Sequence, residues 1–246
     1  MKILGIIPAR YASTRFPGKP LVDIQGKSMI QRVYEQASQC VSLARVIVAT
    51  DDERIAAEVG RFGGEVQFTS STHQSGTDRC AEVSEHFPEY NTIINIQGDE
   101  PFINPGQIDL LVSCFATAGV HLATLIKAIH TQEELFNLNL PKVVINNLNQ
   151  AIYFSRQTIP YQRGVEQQNW LDNHPYYKHI GIYGYSRQAL LEITKLPPSS
   201  LEKAESLEQL RWIENGYAIQ TAVTTLETIA IDTPEDLEKI LPARGN

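Results

Sequence analysis

The first loop of the chain concentrates positive charge close to the N-terminus. Residues 6–21 read IIPARYASTRFPGKPL and carry Arg10, Arg15 and Lys19, with Ser13 between them. These side chains suit a triphosphate, because guanidinium and ammonium groups bind phosphate oxygens and small residues expose backbone amides. The loop contains neither G-x-G-x-x-G nor G-x-x-x-x-G-K-[ST], which excludes a dinucleotide-binding dehydrogenase. A solvated basic loop is the alternative interpretation.

Two acidic positions are candidates for binding Mg²⁺ beside those phosphates. The QGDEP segment at 97–101 follows an apolar run and places Asp99 and Glu100 where a strand would end. Carboxylates are natural Mg²⁺ ligands, and turn capping explains one of the two acids more easily than both. We therefore expect Asp99 to bind metal. For Asp232, which precedes a Thr-Pro pair typical of a helix start, capping is by itself the simpler explanation.

Other polar residues stand near the ends of predicted strands. Ser75, in HQSGTDR, is placed to cap a helix or to expose amides to a ligand. Arg156 with His179 and Tyr183 could recognise a hydroxylated acid, through a carboxylate fork and hydroxyl hydrogen bonds. From spacing alone, a partly buried polar pair is the simpler interpretation of His179 and Tyr183. Glu208 by itself indicates a solvated helix face.

Composition limits the possible partners. The 246 residues are 42% hydrophobic and 20% charged, with a formal net charge of −7. A negative chain disfavours general nucleic-acid binding, so the basic loop is better matched to a small anionic ligand. Cys40, Cys80 and Cys114 form no C-x-x-C pair and predict free thiols in a reducing compartment. The N-terminal apolar run is too short for a membrane span or signal peptide, so we expect a cytoplasmic protein without membrane partners.

The elements that must position these residues alternate over the first half of the chain. Continuous apolar runs at 3–8, 45–50 and 92–97 predict strands buried on both faces of a parallel sheet, with amphipathic helices between them. This alternation predicts β-α-β units and a Rossmann-like α/β fold, in which ligands bind at the carboxyl ends of the strands. Later segments predict strands with fewer helices, a long loop at 160–178 and a helix at 199–216.

Taken together, these motifs resemble one family. The segments IIPARYASTRFPGKPL, HQSGTDR, NIQGDEP, YFSR, HIGIYGY, LEQLR and DTPEDLE run from residue 3 to about 240 and are similar to 3-deoxy-D-manno-octulosonate (Kdo) cytidylyltransferases. The resemblance implies an Mg²⁺-dependent transfer of CMP from CTP to Kdo, with release of pyrophosphate, for lipopolysaccharide assembly. It also implies a Rossmann-like, mainly parallel sheet flanked by helices, a smaller inserted α+β subdomain, and a homodimer.

The resemblance assigns roles to individual residues. The CTP phosphates would be held by Arg10, Ser13, Arg15 and Lys19, with Arg15 and Lys19 offsetting charge on the leaving pyrophosphate. The cytosine and ribose would be framed by Pro8, Ala9, Ser75 and Arg79. Mg²⁺ would be bound by Asp99 and Asp232. The sugar acid would be bound by Gln97, Arg156, His179, Tyr183, Glu208 and Gln209.

The resemblance implies that residues 1–246 form one cytidylyltransferase domain. It divides into a nucleotide-binding core at about 1–120 and 218–241 and a sugar-acid-binding and dimerisation part at about 121–217. After Ile-Pro, the tripeptide at 161–163 is Tyr-Gln-Arg where the family often has Trp-Asp-Arg, which leaves the lid and dimer contacts open. Two alternatives remain: a cytidylyltransferase for sialic acid or 8-amino Kdo, and a non-catalytic nucleotide or sugar-acid sensor.

Overall fold

The chain forms two compact units. The computed structural model describes residues 2–12, 16–227, 230–231 and 233–240. Unit 1 is the chain up to Asp109 together with the segment that begins at Glu227, and unit 2 is Leu110–Leu226. Within the described ranges, no helix combines the length and the apolar character that crossing a bilayer requires.

A parallel sheet forms the centre of unit 1. The strands of this unit are β1 (Ile3–Pro8), β2 (Asp23–Ile24), β3 (Lys27–Ser28), β4 (Arg45–Thr50), β5 (Val66–Phe68) and β6 (Thr92–Asn95). Strand β1 lies between β4 and β6 and is parallel to both, β5 is parallel to β4, and β2 and β3 form a separate hairpin. Ile6 and Ile7 are both fully buried, and neighbouring strand residues point to opposite faces. Both faces of β1 are therefore covered, which explains its continuous apolar sequence.

Helices alternate with these strands, as the sequence predicts. They are α1 (Met29–Ala37), α2 (Glu53–Arg61), α3 (Gly76–His86) and α4 (Pro105–Ser113). Helix α3 begins at a capping box, in which Ser75 Oγ accepts from the Asp78 backbone and Asp78 Oδ2 accepts from the Ser75 backbone, each at 3.1 Å. Together the parallel strands and helices confirm the predicted α/β class.

Unit 2 contains a mainly antiparallel set of strands. These are β7 (Leu122–Ala128), β8 (Lys142–Ile145), β9 (Ala151–Ser155), β10 (Tyr177–Ser186) and β11 (Ile219–Val223). Strand β10 is antiparallel to β7 and to β8, β8 is antiparallel to β9, and β11 is parallel to β7. The pairing of β10 with β7 is irregular between Ile180 and Tyr183.

The helices of unit 2 are short, and the chain ends its described part with a helix of unit 1. They are α5 (Gln132–Phe136), α6 (Trp170–Asn173), α7 (Arg187–Ile193), α8 (Ser200–Glu205) and α9 (Gln209–Glu214), followed by α10 (Pro234–Ile240). Thr233 Oγ1 accepts from the Asp236 backbone at 3.3 Å, which gives α10 the N-cap that the Thr-Pro pair predicts.

The prediction of one continuous helix at 199–216 is wrong, because the segment forms two helices, α8 and α9. Helix α8 ends at Glu205, and Ser206 takes a left-handed conformation with φ 53° and ψ 48° before α9 begins. The carbonyl oxygen of Glu202 accepts from the backbone N–H of both Ser206 and Leu207. These contacts end α8 at Glu205, although the local pattern predicts a helix that continues to residue 216.

The predicted loop at 160–178 is also more regular than expected. It contains a 3₁₀ turn at Gln167–Asn169 and helix α6, and β10 already begins at Tyr177. Trp170 organises the segment, because its Nε1 donates to Val165 O at 3.0 Å and its carbonyl accepts from Gln162 Nε2 at 2.7 Å. Trp170 and Tyr176 of this segment pack with Ile129 and Leu135 in one small hydrophobic core.

Candidate active site

A pocket of about 340 Å³ lies in unit 1 at the carboxyl ends of β1 and β6. Its lining comes from the loop after β1, the segment that leads into α3, and the turn after β6. The predicted residues that line it are Pro8, Ala9, Arg10, Lys19, Ser75, Arg79, Gln97 and Asp99. The pocket thus occupies the position where open α/β sheets bind ligands.

The other predicted residues fall into two groups. Ser13, Arg15 and Asp232 lie outside the described residues, so their roles stay predictions. Five further residues belong to unit 2, namely Arg156, His179, Tyr183, Glu208 and Gln209.

Close backbone packing shapes the pocket. A Cβ on Gly98 would lie 2.8 Å from the carbonyl oxygen of Pro8, and a Cβ on Gly76 would lie 3.3 Å from Pro8 Cγ. Glycine at position 98 therefore lets the turn after β6 approach the end of β1. This approach brings Asp99 against the basic loop.

An ion pair joins the basic loop to the acidic turn. Lys19 Nζ donates to Asp99 Oδ2 at 2.8 Å, and the two side chains are 15% and 27% exposed. The backbone N–H of Ile231 donates to Asp99 O at 2.9 Å, so the residue just before Asp232 is hydrogen-bonded to Asp99. In the part of the chain that the structure describes, no group of three or more His, Cys, Asp or Glu residues is placed to hold a metal ion.

Glu100 differs from Asp99 although the two acids are adjacent. Its side chain is buried, and Oε2 has no hydrogen-bond partner among the described residues. Burial, with a contribution from the charge of Asp99, raises the pKa of Glu100 to about 8. Glu100 is therefore mostly protonated at neutral pH, and Asp99 supplies the negative charge of the turn.

Arg79 is held inside the wall of the pocket. Its Nη2 lies 3.0 Å from Asp51 Oδ1, and its Nη1 donates to Thr69 Oγ1 at 2.7 Å and to Ser70 O at 3.2 Å. Asp51 follows β4 and Thr69 follows β5, so the guanidinium links these two strand ends to α3. Direct contact of Arg79 with the nucleotide stays a prediction; in the structure this residue shapes the wall.

His73 and Gln74 line the same pocket and were not assigned from the sequence. His73 Nε2 hydrogen-bonds to Glu82 on α3, and the Glu82 carboxylate also accepts from the Ser70 backbone at 2.9 Å. The HQSG run was visible in the sequence. The partner of the histidine lies nine positions further on, so no local motif reveals the pair.

In unit 2, Thr124 fixes the imidazole of His179. Thr124 Oγ1 lies 2.7 Å from Ile182 O and 2.9 Å from His179 Nε2. The single hydroxyl proton is directed at the carbonyl, so we assign the proton of the imidazole to Nε2, and Nδ1 keeps its lone pair. Loss of hydration around the ring disfavours its charged form and lowers the pKa of His179 to about 3, although the residue keeps some accessible surface. The ring is therefore neutral at pH 7.

Tyr183 lies beside this imidazole, and Gln209 is a second buried polar residue of unit 2. The ring of Tyr183 packs 5.2 Å from that of His179 and edge-on against Trp212 at 5.1 Å between centroids. Burial raises the pKa of Tyr183 well above its ordinary value, and the charges of Tyr185 and Glu208 add to this. The Tyr183 hydroxyl and Gln209 Nε2 are buried without a partner among the described residues. Because such groups are rarely left unsatisfied, they are placed to bind an ordered water or a polar ligand.

Arg156 is oriented by backbone carbonyl groups. Its Nε donates to Glu205 O at 2.7 Å, while Nη2 donates to Ser206 O and Nη1 to Leu138 O, both at 3.3 Å. These contacts fix the plane of the guanidinium and leave other N–H groups of the fork for a ligand.

These features define a class of protein. A basic loop, a capped helix N-terminus and an acidic turn surround one pocket at the ends of parallel strands, as in nucleotidyltransferases of the α/β type. The sequence profile of the cytidylyltransferase family matches residues 4–240, and the chain belongs to this family.

Similar proteins agree with this assignment. The chain is 58% identical to the 3-deoxy-manno-octulosonate cytidylyltransferase of Parabacteroides distasonis, over 100% of this chain and 99% of the relative. It is 58% identical to the enzyme of the same name from Cytophaga hutchinsonii, over 98% and 96% of the two chains. A solved structure of CMP:2-keto-3-deoxy-manno-octonic acid synthetase complexed with CTP matches with a TM-score of 0.89 and 45% identity, over 98% of this chain and 97% of that chain. The resemblance drawn from the motifs is confirmed.

Proposed function

We propose that the protein transfers CMP from CTP to 3-deoxy-manno-octulosonate and releases pyrophosphate, as a step towards lipopolysaccharide. The observation that carries the proposal is the unit 1 pocket, where Arg10 and Lys19 meet Asp99 at the ends of two parallel strands. The similar synthetase solved with CTP supports a cytidine nucleotide as the occupant.

The triphosphate would be bound by the basic loop. Arg10 and Lys19 supply positive charge, and the N-terminus of α3 after Ser75 supplies backbone amides and the positive end of a helix dipole. Ser13 and Arg15 would add to this site. Pro8 and Ala9, at the end of β1, would frame the nucleoside.

Asp99 fits a magnesium ligand, because it is the charged carboxylate of the turn and Mg²⁺ prefers oxygen ligands. Asp232 would be its companion, since the neighbouring Ile231 is hydrogen-bonded to Asp99. Bound Mg²⁺ would neutralise phosphate charge and lower the pKa of the attacking hydroxyl. With Mg²⁺ bound at Asp99, the Lys19 ammonium would be available to the phosphates.

The chemistry requires positioning and charge neutralisation more than covalent participation. The anomeric hydroxyl of the sugar acid attacks the α-phosphorus of CTP in line, and the bond to the β-phosphate oxygen breaks. The hydroxyl proton passes to solvent. Lys19 and Arg15 would offset the charge that develops on the departing pyrophosphate.

The polar groups of unit 2 match a polyhydroxylated acid. Neutral His179 can accept a hydrogen bond through Nδ1, while the Tyr183 hydroxyl and the Gln209 amide can donate one. Arg156 suits a carboxylate, because its guanidinium can form a planar two-point contact. Glu208 would accept from hydroxyl groups, and Gln97 would also contribute to binding the sugar acid.

Two further properties belong to the proposal. A homodimer is expected from the family and is measured by light scattering during gel filtration. A reducing compartment such as the cytoplasm is supported by the three cysteines, which are buried and form no disulfide.

A substrate panel tests the proposed function. Pyrophosphate release from CTP is measured with Kdo, 8-amino Kdo and sialic acid, each with and without Mg²⁺. We expect release with Kdo that depends on Mg²⁺. Faster release with another acid would reassign the substrate, and CTP binding without release with any acid would support the sensor alternative.

A further inference from the structure

The carboxylate of Glu205 binds the end of β9 through both of its oxygens. Ser155 Oγ donates to Oε1 at 2.7 Å, and the backbone N–H of Arg156 donates to Oε2 at 3.0 Å. Ser155 is buried, and Glu205 is the last residue of α8. The end of α8 is therefore bonded to the strand end that carries Arg156.

The side chain of Arg156 also binds the end of α8. It donates to the carbonyl oxygens of Glu205 and Ser206, the residues at which α8 ends. Ser206 has a left-handed backbone, which a serine adopts only where neighbouring contacts support it. The corner formed here leads within three residues to Glu208 and Gln209, at the start of α9.

We propose that Glu205 is a positioning residue for the sugar-acid half of the reaction. Its carboxylate fixes Arg156 from the backbone side, and its own carbonyl oxygen fixes the guanidinium. The same contacts fix the corner that presents Glu208 and Gln209. Binding groups must be held to within a fraction of an ångström for efficient transfer. Loss of the Glu205 contacts therefore weakens binding of the sugar acid and leaves CTP binding unchanged. The inference rests on the proposed function, because it requires these residues to bind the sugar acid.

Two substitutions of Glu205 distinguish the effect of its hydrogen bonds from the effect of its negative charge. Glu205→Ala removes both bonds, and we expect the KM for Kdo to rise by about tenfold or more while the KM for CTP changes less than about twofold. Glu205→Gln restores function, because the amide oxygen accepts from the Arg156 backbone and the amide NH₂ can donate to Ser155 Oγ.

Glu214 supplies a matched control. Its carboxylate makes the same pair of bonds, from Ser200 Oγ at 2.8 Å and from the Leu201 backbone at 3.0 Å, but it joins α9 to α8 and does not bind Arg156. Glu214→Ala should leave the KM for Kdo near that of the wild type. Should Glu205→Ala fail to fold, Ser155→Ala removes one of the two bonds and gives a smaller rise in the same KM.

The outcomes distinguish this inference from the proposed function. Wild-type protein that releases no pyrophosphate with Kdo overturns the proposed function, and the inference with it. Wild-type turnover combined with equal changes in both KM values for Glu205→Ala overturns the inference alone. An effect of the same size in Glu214→Ala, or failure of Glu205→Gln to restore the KM for Kdo, also overturns it.

Discussion

The neutral state of His179 makes the stability of the protein depend on pH in a defined direction. The folded pKa is about 3, against an ordinary value of 6.5, so between these values the unfolded chain binds a proton that the folded chain does not. The contribution of His179 to the free energy of unfolding is therefore fully present above pH 6.5 and is lost as the pH falls towards 3. pH 5 lies about one and a half units below the unfolded pKa, which corresponds to about 2 kcal/mol. Because the ring keeps some accessible surface, this value is an upper limit.

His179→Gln tests this reasoning. The glutamine amide can still donate to Thr124 but does not titrate, so the variant should lose up to about 2 kcal/mol less stability than the wild type between pH 7.5 and pH 5. The free energy of unfolding is measured in urea at both pH values. His130→Gln, at an exposed position of unit 2, serves as the control and should keep the wild-type dependence.

Nuclear magnetic resonance measures the protonation state and the tautomer of the His179 ring directly. The ring nitrogens of His179 should show a neutral ring with the proton on Nε2 at every pH from 8 to 5. A titration midpoint near 6.5 would refute the neutral state of the ring at pH 5, and a proton on Nδ1 would refute the role of Thr124 as acceptor.

Four further substitutions probe predicted site residues. Asp99→Asn and Asp232→Asn should each lower turnover by about a hundredfold or more while calorimetry still detects CTP binding, and near-normal turnover would remove that residue from the metal site. Gly98→Ala should weaken CTP binding by about tenfold, because the added Cβ would lie 2.8 Å from a backbone oxygen, whereas Gly60→Ala meets open space and should bind CTP normally. Arg156→Ala should raise the KM for the sugar acid much more than that for CTP; an equal rise in both would make Arg156 a structural residue.

The sequence predicted the core of unit 1 well because its signals are local. The runs at 3–8 and 45–50 coincide with β1 and β4, since strands buried on both faces require continuous apolar residues. The capping box at Ser75 is also a local pattern and marks the start of α3.

Prediction failed where distant contacts decide the backbone. The segment 199–216 has a continuous helical pattern, yet α8 ends at Glu205, and Arg156 binds the carbonyl groups at that corner from about fifty positions earlier in the chain. Nothing in the helix sequence itself encodes this partner. The break nevertheless matters, since it lies just before Glu208.

Eight of the residues predicted from the sequence line the unit 1 pocket, but their roles stay predictions. The motifs identified Asp99, but the sequence could not show that its neighbour Glu100 is buried and mostly protonated. They identified Arg79, but its bonds to Asp51 and Thr69 form only because α3 packs against the ends of β4 and β5 in the folded chain. Burial and pairing over long sequence distances are properties of the folded chain, so only the structure supplies them.

The most direct test of the account identifies the reaction products themselves. Phosphorus nuclear magnetic resonance follows CTP, Kdo and Mg²⁺ in the presence of the protein. We predict that the triphosphate signals decline while one phosphodiester signal, from CMP linked to the sugar acid, and pyrophosphate appear in equal amounts. CTP that stays intact, or that yields CMP or CDP without the phosphodiester, would contradict cytidylyl transfer to Kdo.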